Sequence, residues 1–223
     1  MPKVSIIGGS AFSRRLEELS HDFLSHFPHV ILIVPTQKYA SFWERKIQQE
    51  LNLNCIVGRY VYDFTNFVRV LLEEEDIKCE LIEVWKQELI VKSILISEEG
   101  REKVAPYQLE SPENLASHIV EVIRNFKQGG IEPDEFIRSI PESQRGLRED
   151  VIHWVYKRYQ EVMFQNSWYD VPGMFWMAEE VCKQRIPALL KNVECILLEG
   201  FDDFTNSEIR LLKAIESRVE SLS

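Results

Sequence analysis

The residues best suited to chemistry lie late in the 223-residue chain, in Cys195-Ile-Leu-Leu-Glu-Gly-Phe-Asp-Asp-Phe-Thr-Asn-Ser-Glu. A short apolar run ends there in an acidic turn and passes directly into an amphipathic pattern. In phosphoryl transfer, a carboxylate at the end of a buried strand holds Mg²⁺, and a second one beside it polarises the attacking water. The corresponding pair here is Glu199-Gly200, so the second carboxylate is missing. Glu199 is left with a residual cation role, a capping role or an arginine partner. Asp202 and Asp203 either belong to the same vestigial site or cap the helix that follows.

The amino terminus supplies the other half of such a site. Lys3-Val-Ser-Ile-Ile reads as a strand, and Gly8-Gly-Ser-Ala-Phe-Ser-Arg-Arg as a turn opening a helix. Set on the phosphate-loop spacing G-x-x-x-x-G-K-[ST], Gly8 falls on the first glycine, Ser13 on the second, Arg14 on the lysine and Arg15 on the Mg²⁺-binding hydroxyl. Arg14 keeps the charge as a planar fork instead of a point charge, and Arg15 cannot ligate a metal. Gly8, Gly9, Ser10, Ser13, Arg14 and Arg15 therefore form a vestigial nucleotide loop or an ordinary strand-to-helix turn. No catalytic residue, metal ligand or bound cofactor is expected.

A third candidate is Thr36-Gln37-Lys38, after the apolar run ending at Val34. At a helix N-terminus, unpaired N–H groups and a lysine suit a phosphate, but threonine there is equally a common cap. Trp43, Trp85, Trp154, Trp168 and Trp176 read as packing residues rather than base-stacking platforms, and Asp170 as a helix cap.

The elements that must position these residues fall into two regimes. Residues 3–7, 30–34 and 195–198 are short apolar runs ending in turn residues, the pattern of parallel strands in an α/β sheet. Helical periodicity covers about 61–74, 80–97, 111–128, 146–165, 170–184 and 205–217. Ser111-Pro112 looks like a cap followed by a first-turn proline. The breakers at Gly100, Gly129-Gly130, Pro133 and Pro141 look like loops.

Composition narrows the function classes. With 45% hydrophobic residues the chain can bury a good core, and no apolar run reaches the length of a membrane span. Its formal charge of −10 argues against a stand-alone nucleic-acid binder, so any DNA contact needs a local basic patch. Cys55, Cys79, Cys182 and Cys195 show no C-x-x-C spacing, and the five histidines no ligand pattern. Reduced thiols in a cytoplasmic protein are the expectation.

Five blocks together resemble the N-terminal region of AddB/RexB-type helicase–nuclease subunits, relatives of UvrD-like superfamily 1 helicases. They are the degenerate loop Gly8–Leu16, Val34-Pro-Thr-Gln-Lys-Tyr-Ala-Ser-Phe-Trp-Glu, Val57-Gly-Arg-Tyr-Val-Tyr-Asp-Phe, Trp168-Tyr-Asp-Val-Pro-Gly-Met-Phe-Trp-Met-Ala, and Leu198-Glu-Gly-Phe-Asp-Asp-Phe-Thr-Asn-Ser-Glu. The resemblance implies a P-loop NTPase-like parallel sheet, residues 1–75 plus 185–223, with a large inserted α-helical subdomain at 76–184. It implies a fragment of a larger DNA double-strand-break repair subunit in which Thr36, Gln37 and Lys38 face DNA, single-stranded or at a duplex end, and in which a partner subunit docks. Active relatives use ATP and Mg²⁺; the degenerate motifs imply that this piece does not hydrolyse ATP. The alternatives are an active ATP-dependent helicase region, or a nucleotide-binding regulatory domain in which Arg14 and Arg15 hold a phosphate without Mg²⁺.

Overall fold

Val30–Val34, five consecutive buried residues, form the strand around which the sheet is built. A strand covered on both faces needs no polar alternation, and a continuous Val/Ile/Leu run is what a parallel sheet requires. The structure, a computed structural model, describes residues 3–4, 12–52, 58–107, 111–219 and 221–222, with the backbone alone at 3–4, 12–18, 107, 112 and 221. The chain divides into two compact units. Met1–Ile77, Met177–Phe204 and Ile209–Ser223 form one, and Lys78–Trp176 with Thr205–Glu208 form the other. The whole is mixed α/β, mostly helical with a small parallel sheet.

The sheet unit opens with β1 (Lys3–Val4), α1 (Phe12–His26), β2 (Val30–Val34), α2 (Gln37–Glu50), β3 (Val61–Asp63) and α3 (Phe64–Glu73). The helical unit follows with β4 (Glu80–Leu81), α4 (Val84–Ile96), α5 (Glu98–Val104), α6 (Ala116–Gln128), α7 (Pro133–Ser139), α8 (Leu147–Gln165), β5 (Trp168–Tyr169) and the start of α9 (Val171–Gln184). The chain then returns through β6 (Cys195–Leu198), α10 (Asn206–Glu216) and β7 (Ser221–Leu222).

Strand order is β1-β7-β6-β2-β3, every pair parallel. Val30 pairs with Cys195 and Ile33 with Leu198, which brings strands far apart in sequence side by side. The expected strands at 30–34 and 195–198 have those bounds. Of 3–7, residues 3–4 are strand, and the rest lie outside the described residues. The short β7, which sequence reading did not anticipate, sits between β1 and β6. On α2, Ala40, Trp43 and Ile47 share one face and are buried in a core with Phe23, Leu32 and Leu197.

Three expected boundaries are corrected. The helix placed at 61–74 begins at Phe64, because Val61–Asp63 add to the sheet as β3 and Asp63 caps α3, its carboxylate accepting from the Asn66 N–H at 3.0 Å. Pro112–Leu115 form a 3₁₀ turn before α6, and Glu80–Leu81 pair with Trp168–Tyr169 instead of joining α4. Gly100 and Pro133, placed in loops, lie within α5 and at the start of α7. Ser97 caps α5 through the Gly100 N–H at 3.0 Å, and a Cβ at Gly100 would lie 2.2 Å from the Ile94 carbonyl oxygen. Glycine there serves close packing of backbones, not a break. The helical unit has its own core, in which α4, α6 and α8 bury Val91, Leu95, Ile123, Val155, Tyr156 and Tyr159.

Candidate nucleic-acid interface

The carboxyl ends of parallel strands are where α/β proteins open clefts, because the turns after adjacent strands diverge there. β2 and β6 end together, and the Glu199 N–H donates to the Ile33 carbonyl at 3.1 Å. The turn after β2 starts α2. Thr36 is its cap, with Oγ1 accepting from the Tyr39 N–H at 3.3 Å, while the Ala40 N–H donates to the Thr36 carbonyl at 2.9 Å. Among the described residues this leaves the N–H groups of Gln37 and Lys38 for an outside acceptor.

A cleft of about 610 Å³ opens beside this turn, lined by Pro35, Thr36, Lys38, Tyr39, Phe42, Arg45 and Gly200. Lys38, Phe42 and Arg45 recur at helical spacing, so one face of α2 presents two cations around an aromatic ring. The rings of Tyr39 and Phe42 lie nearly parallel, 5.9 Å apart at 8°. Gly200 closes the far wall at φ +83°, where a Cβ would come within 2.6 Å of Tyr39 Cε1. A side chain at Gly200 therefore meets both a left-handed backbone and an occupied space.

Arg59 extends the basic surface. Its Nη2 donates to Gln37 Oε1 at 3.4 Å, its Nε to the Val61 carbonyl at 3.2 Å, and its guanidinium lies 5.0 Å from the Tyr62 ring centroid. Burial raises the Tyr62 phenol pKa, an effect the Arg59 charge partly offsets. Glu44 lines a separate cleft with Gln48, Arg59 and Tyr60.

The acidic block is organised by aromatic rings. Phe201 and Phe204 stack at 4.7 Å and both meet Phe64 edge-on, at 5.8 and 6.3 Å. Glu199 is buried at the end of β6, whereas Asp202 and Asp203 stand exposed. Their reading as caps of the next helix is corrected. Thr205 fills that position, its hydroxyl accepting from the Glu208 N–H at 3.4 Å, while the Glu208 carboxylate accepts from the Thr205 N–H at 2.7 Å. This is a reciprocal capping box, spelled by Thr-x-x-Glu. Gly8, Gly9 and Ser10 lie outside the described residues, as does Cys55. Ser13, Arg14 and Arg15 are described as backbone in the first turn of α1.

The helical unit contains a second charged cluster. Asp170 caps α9 through the Gly173 N–H (2.8 Å) and is also paired with Lys127 Nζ at 2.6 Å and the Tyr159 hydroxyl at 2.9 Å. Lys127 donates to Gln160 Oε1 at 3.0 Å, and the side chains of the pair are 3% and 6% exposed. Burial, and then the Asp170 charge, drive the Tyr159 phenol pKa far upward. The cluster joins α6, α8 and α9 and turns its polar groups on one another, so it is a structural lock.

Sequence reading named Thr36, Gln37 and Lys38 but stopped short of Tyr39, Phe42, Arg45 and Arg59. The signal available was the recurrence of cation and ring one and two turns further along α2. Among the described residues, no group of three or more His, Cys, Asp or Glu side chains is placed to hold a metal ion, and no helix is long and apolar enough to cross a membrane.

A small parallel sheet with a cation- and ring-lined cleft at its carboxyl edge, together with a largely helical unit, defines a mixed α/β protein. The family described as "ADDB, N-terminal" matches residues 14–223, and the chain belongs to that family. No curated protein matches it.

Proposed function

We propose that the chain is the helicase-like N-terminal module of a bacterial, cytoplasmic DNA double-strand-break repair helicase–nuclease subunit, guiding DNA and docking a partner subunit without hydrolysing ATP. In this reading the sheet unit is a P-loop NTPase-like domain, with the helical unit as its inserted subdomain. The observation that carries the DNA assignment is the cleft at the start of α2, where Thr36, Lys38, Tyr39, Phe42 and Arg45 meet Gly200. Phosphates are held by Lys38, Arg45 and the open N–H groups of the first turn, while the Tyr39–Phe42 pair offers flat apolar surface to an unstacked base. Single-stranded DNA satisfies both demands.

ATP and Mg²⁺, which active relatives use, fit these residues poorly. Arg15 offers no metal ligand in place of the hydroxyl. Gly200 brings no carboxylate to the water-orienting position, and Tyr39 fills the space where its side chain would start. The vestigial set Gly8, Gly9, Ser10, Ser13, Arg14, Arg15, Glu199, Asp202 and Asp203 is read as inherited scaffold.

Titration of a labelled oligodeoxythymidylate across a salt series tests the DNA contact. Lys38→Ala and Arg45→Ala should each weaken binding evenly across sequences and flatten the log–log salt slope by about 0.7 to 1. An unchanged slope removes the cleft from the interface. DNA-stimulated ATP hydrolysis should stay at background in the wild type and in Gly200→Glu. Turnover that disappears on Arg14→Ala would instead make the chain an active motor.

A further inference from the structure

The outer side of α4 is the second surface that needs an occupant. Its inner side buries Ile90, Val91, Ile94 and Leu95 in the helical core. Facing the other way, Trp85, Leu89, Lys92 and Ile96 follow one another at spacings of four, three and four, the spacing of a coiled-coil seam. Trp85 is 61% exposed, Leu89 55% and Ile96 42%, and Val84 extends the patch at the N-terminal end. A helix apolar on both sides belongs inside an assembly. The outward charges of α8 behave differently, with Arg158 paired to Glu161 and Lys157 to Asp134.

Lys92 decides what covers the seam. It is exposed in the middle of the apolar stripe, and among the described residues no carboxylate pairs with it. An incoming helix would strip it of water, and a buried ammonium is tolerated only against an opposite charge. Area argues against a self-sufficient pair of copies. The ring of Trp85 and the branched side chains of Val84, Leu89 and Ile96 offer roughly 400 Å² at ordinary side-chain sizes, well below the about 800 Å² per partner of a stable interface. In a parallel pair of copies Lys92 would also meet Lys92.

We propose that this stripe docks one helix of a partner subunit, an amphipathic helix with an apolar seam in the same four–three spacing and a carboxylate opposite Lys92. The seam is one contact in a larger assembly. The inference deepens the reading of the chain as an assembly module and rests on it.

The probe is a fluorescent 21-residue synthetic helix with leucines along its seam and glutamate at the central seam position, titrated against the full chain beside an otherwise identical lysine version. The glutamate peptide should bind at least about tenfold tighter than the lysine peptide, and Lys92→Glu should reverse that order, because opposed like charges are strongly disfavoured in a desolvated contact. Trp85→Ala should weaken the glutamate peptide by about tenfold or more. These side chains are exposed, and unchanged circular dichroism and oligonucleotide binding in the variants confirm that the fold is intact. Binding of neither peptide, equal binding of both, or an order that Lys92→Glu does not reverse overturns the proposal. So does a concentration-dependent dimer, seen by sedimentation, that Trp85→Ala dissolves, since that assigns the seam to a second copy. The oligonucleotide salt slope reports on the DNA reading separately, so a lost seam with an intact slope removes the docking proposal alone.

Discussion

Two helices, α9 and α10, are each led by aspartate in sequence, and the two aspartate sites have nothing else in common. Asp170, before α9, is buried against Lys127, Tyr159 and the Gly173 N–H. Asp202 and Asp203, before α10, stand in solvent, while Thr205 does the capping and Phe201 and Phe204 hold the loop. The difference lies in what each loop crosses. Asp170, just before α9, meets the last turn of α6 at Lys127 and the body of α8 at Tyr159, where a buried lysine needs a counter-charge. Residues before α10 run along the rim of the sheet, where rings anchor the chain and carboxylates remain hydrated. A carboxylate's neighbours in space decide whether it is structural, and its neighbours in sequence do not.

Breaking the buried side of this comparison should give the largest effect. Asp170→Ala strands Lys127 without a counter-charge and should cost about 3–5 kcal/mol in urea unfolding. The double change Lys127→Met with Asp170→Leu should recover much of that loss, and equal losses in single and double variants would break the account. Gly200→Ala comes next, at about 1–3 kcal/mol, from a positive φ and contact with Tyr39. A neutral result would mean that Tyr39 moves aside freely.

Glu75 sharpens the comparison from within the sheet unit. It accepts from the Ala188 N–H at 2.6 Å and from Arg185 Nε at 2.5 Å. The Ala188 bond, with help from Arg185 and against its burial, lowers the Glu75 pKa. Its contribution is therefore full above the unfolded carboxylate pKa and disappears as pH falls through the lowered folded value. Glu75→Gln should lose about 1–2 kcal/mol at neutral pH and show a shallower acid-side fall of the urea midpoint than wild type; parallel curves would count against the contact. Thr205→Ala should cost about 1 kcal/mol through the lost cap, visible as a lower melting temperature. Asp202→Asn and Asp203→Asn should stay within about 0.5 kcal/mol of wild type. A larger loss from either would mean that the exposed aspartates hold the loop after all.

The parts of the fold legible in the sequence were those carried by local pattern. Val30–Val34 and Cys195–Leu198 are continuous apolar runs, and a run with no polar face has few alternatives to a buried parallel strand. Ser221–Leu222 carries too little pattern to announce a strand, and its pairing comes from β1 and β6. Gly100 hid α5 because glycine reads as a breaker when its packing neighbours are unknown. Thr205-x-x-Glu208 was legible as a capping box, but the acids before it drew the assignment. Around the cleft, Thr36, Gln37 and Lys38 stood out because they follow a strand. Gly200, which forms the opposite wall, is placed there only by the pairing of β2 with β6. Lys127 drew no reading at all, because only the packing of α6 against α9 brings it to Asp170.

The pairing of Val30–Val34 with Cys195–Leu198 also sets a timetable for the growing chain. The helical unit is almost contiguous, Lys78–Trp176, whereas the sheet unit is assembled from three separate stretches. On a ribosome adding about 5–20 residues per second, β2 is complete roughly 8 to 30 seconds before β6 has been made. During that interval β2 can pair with β3 on one side, while its other edge has no partner and the helical unit has time to fold. The β2–β6 edge therefore pairs only after the intervening residues have been made, and an open strand edge of the kind that favours aggregation is exposed for as long as their translation takes.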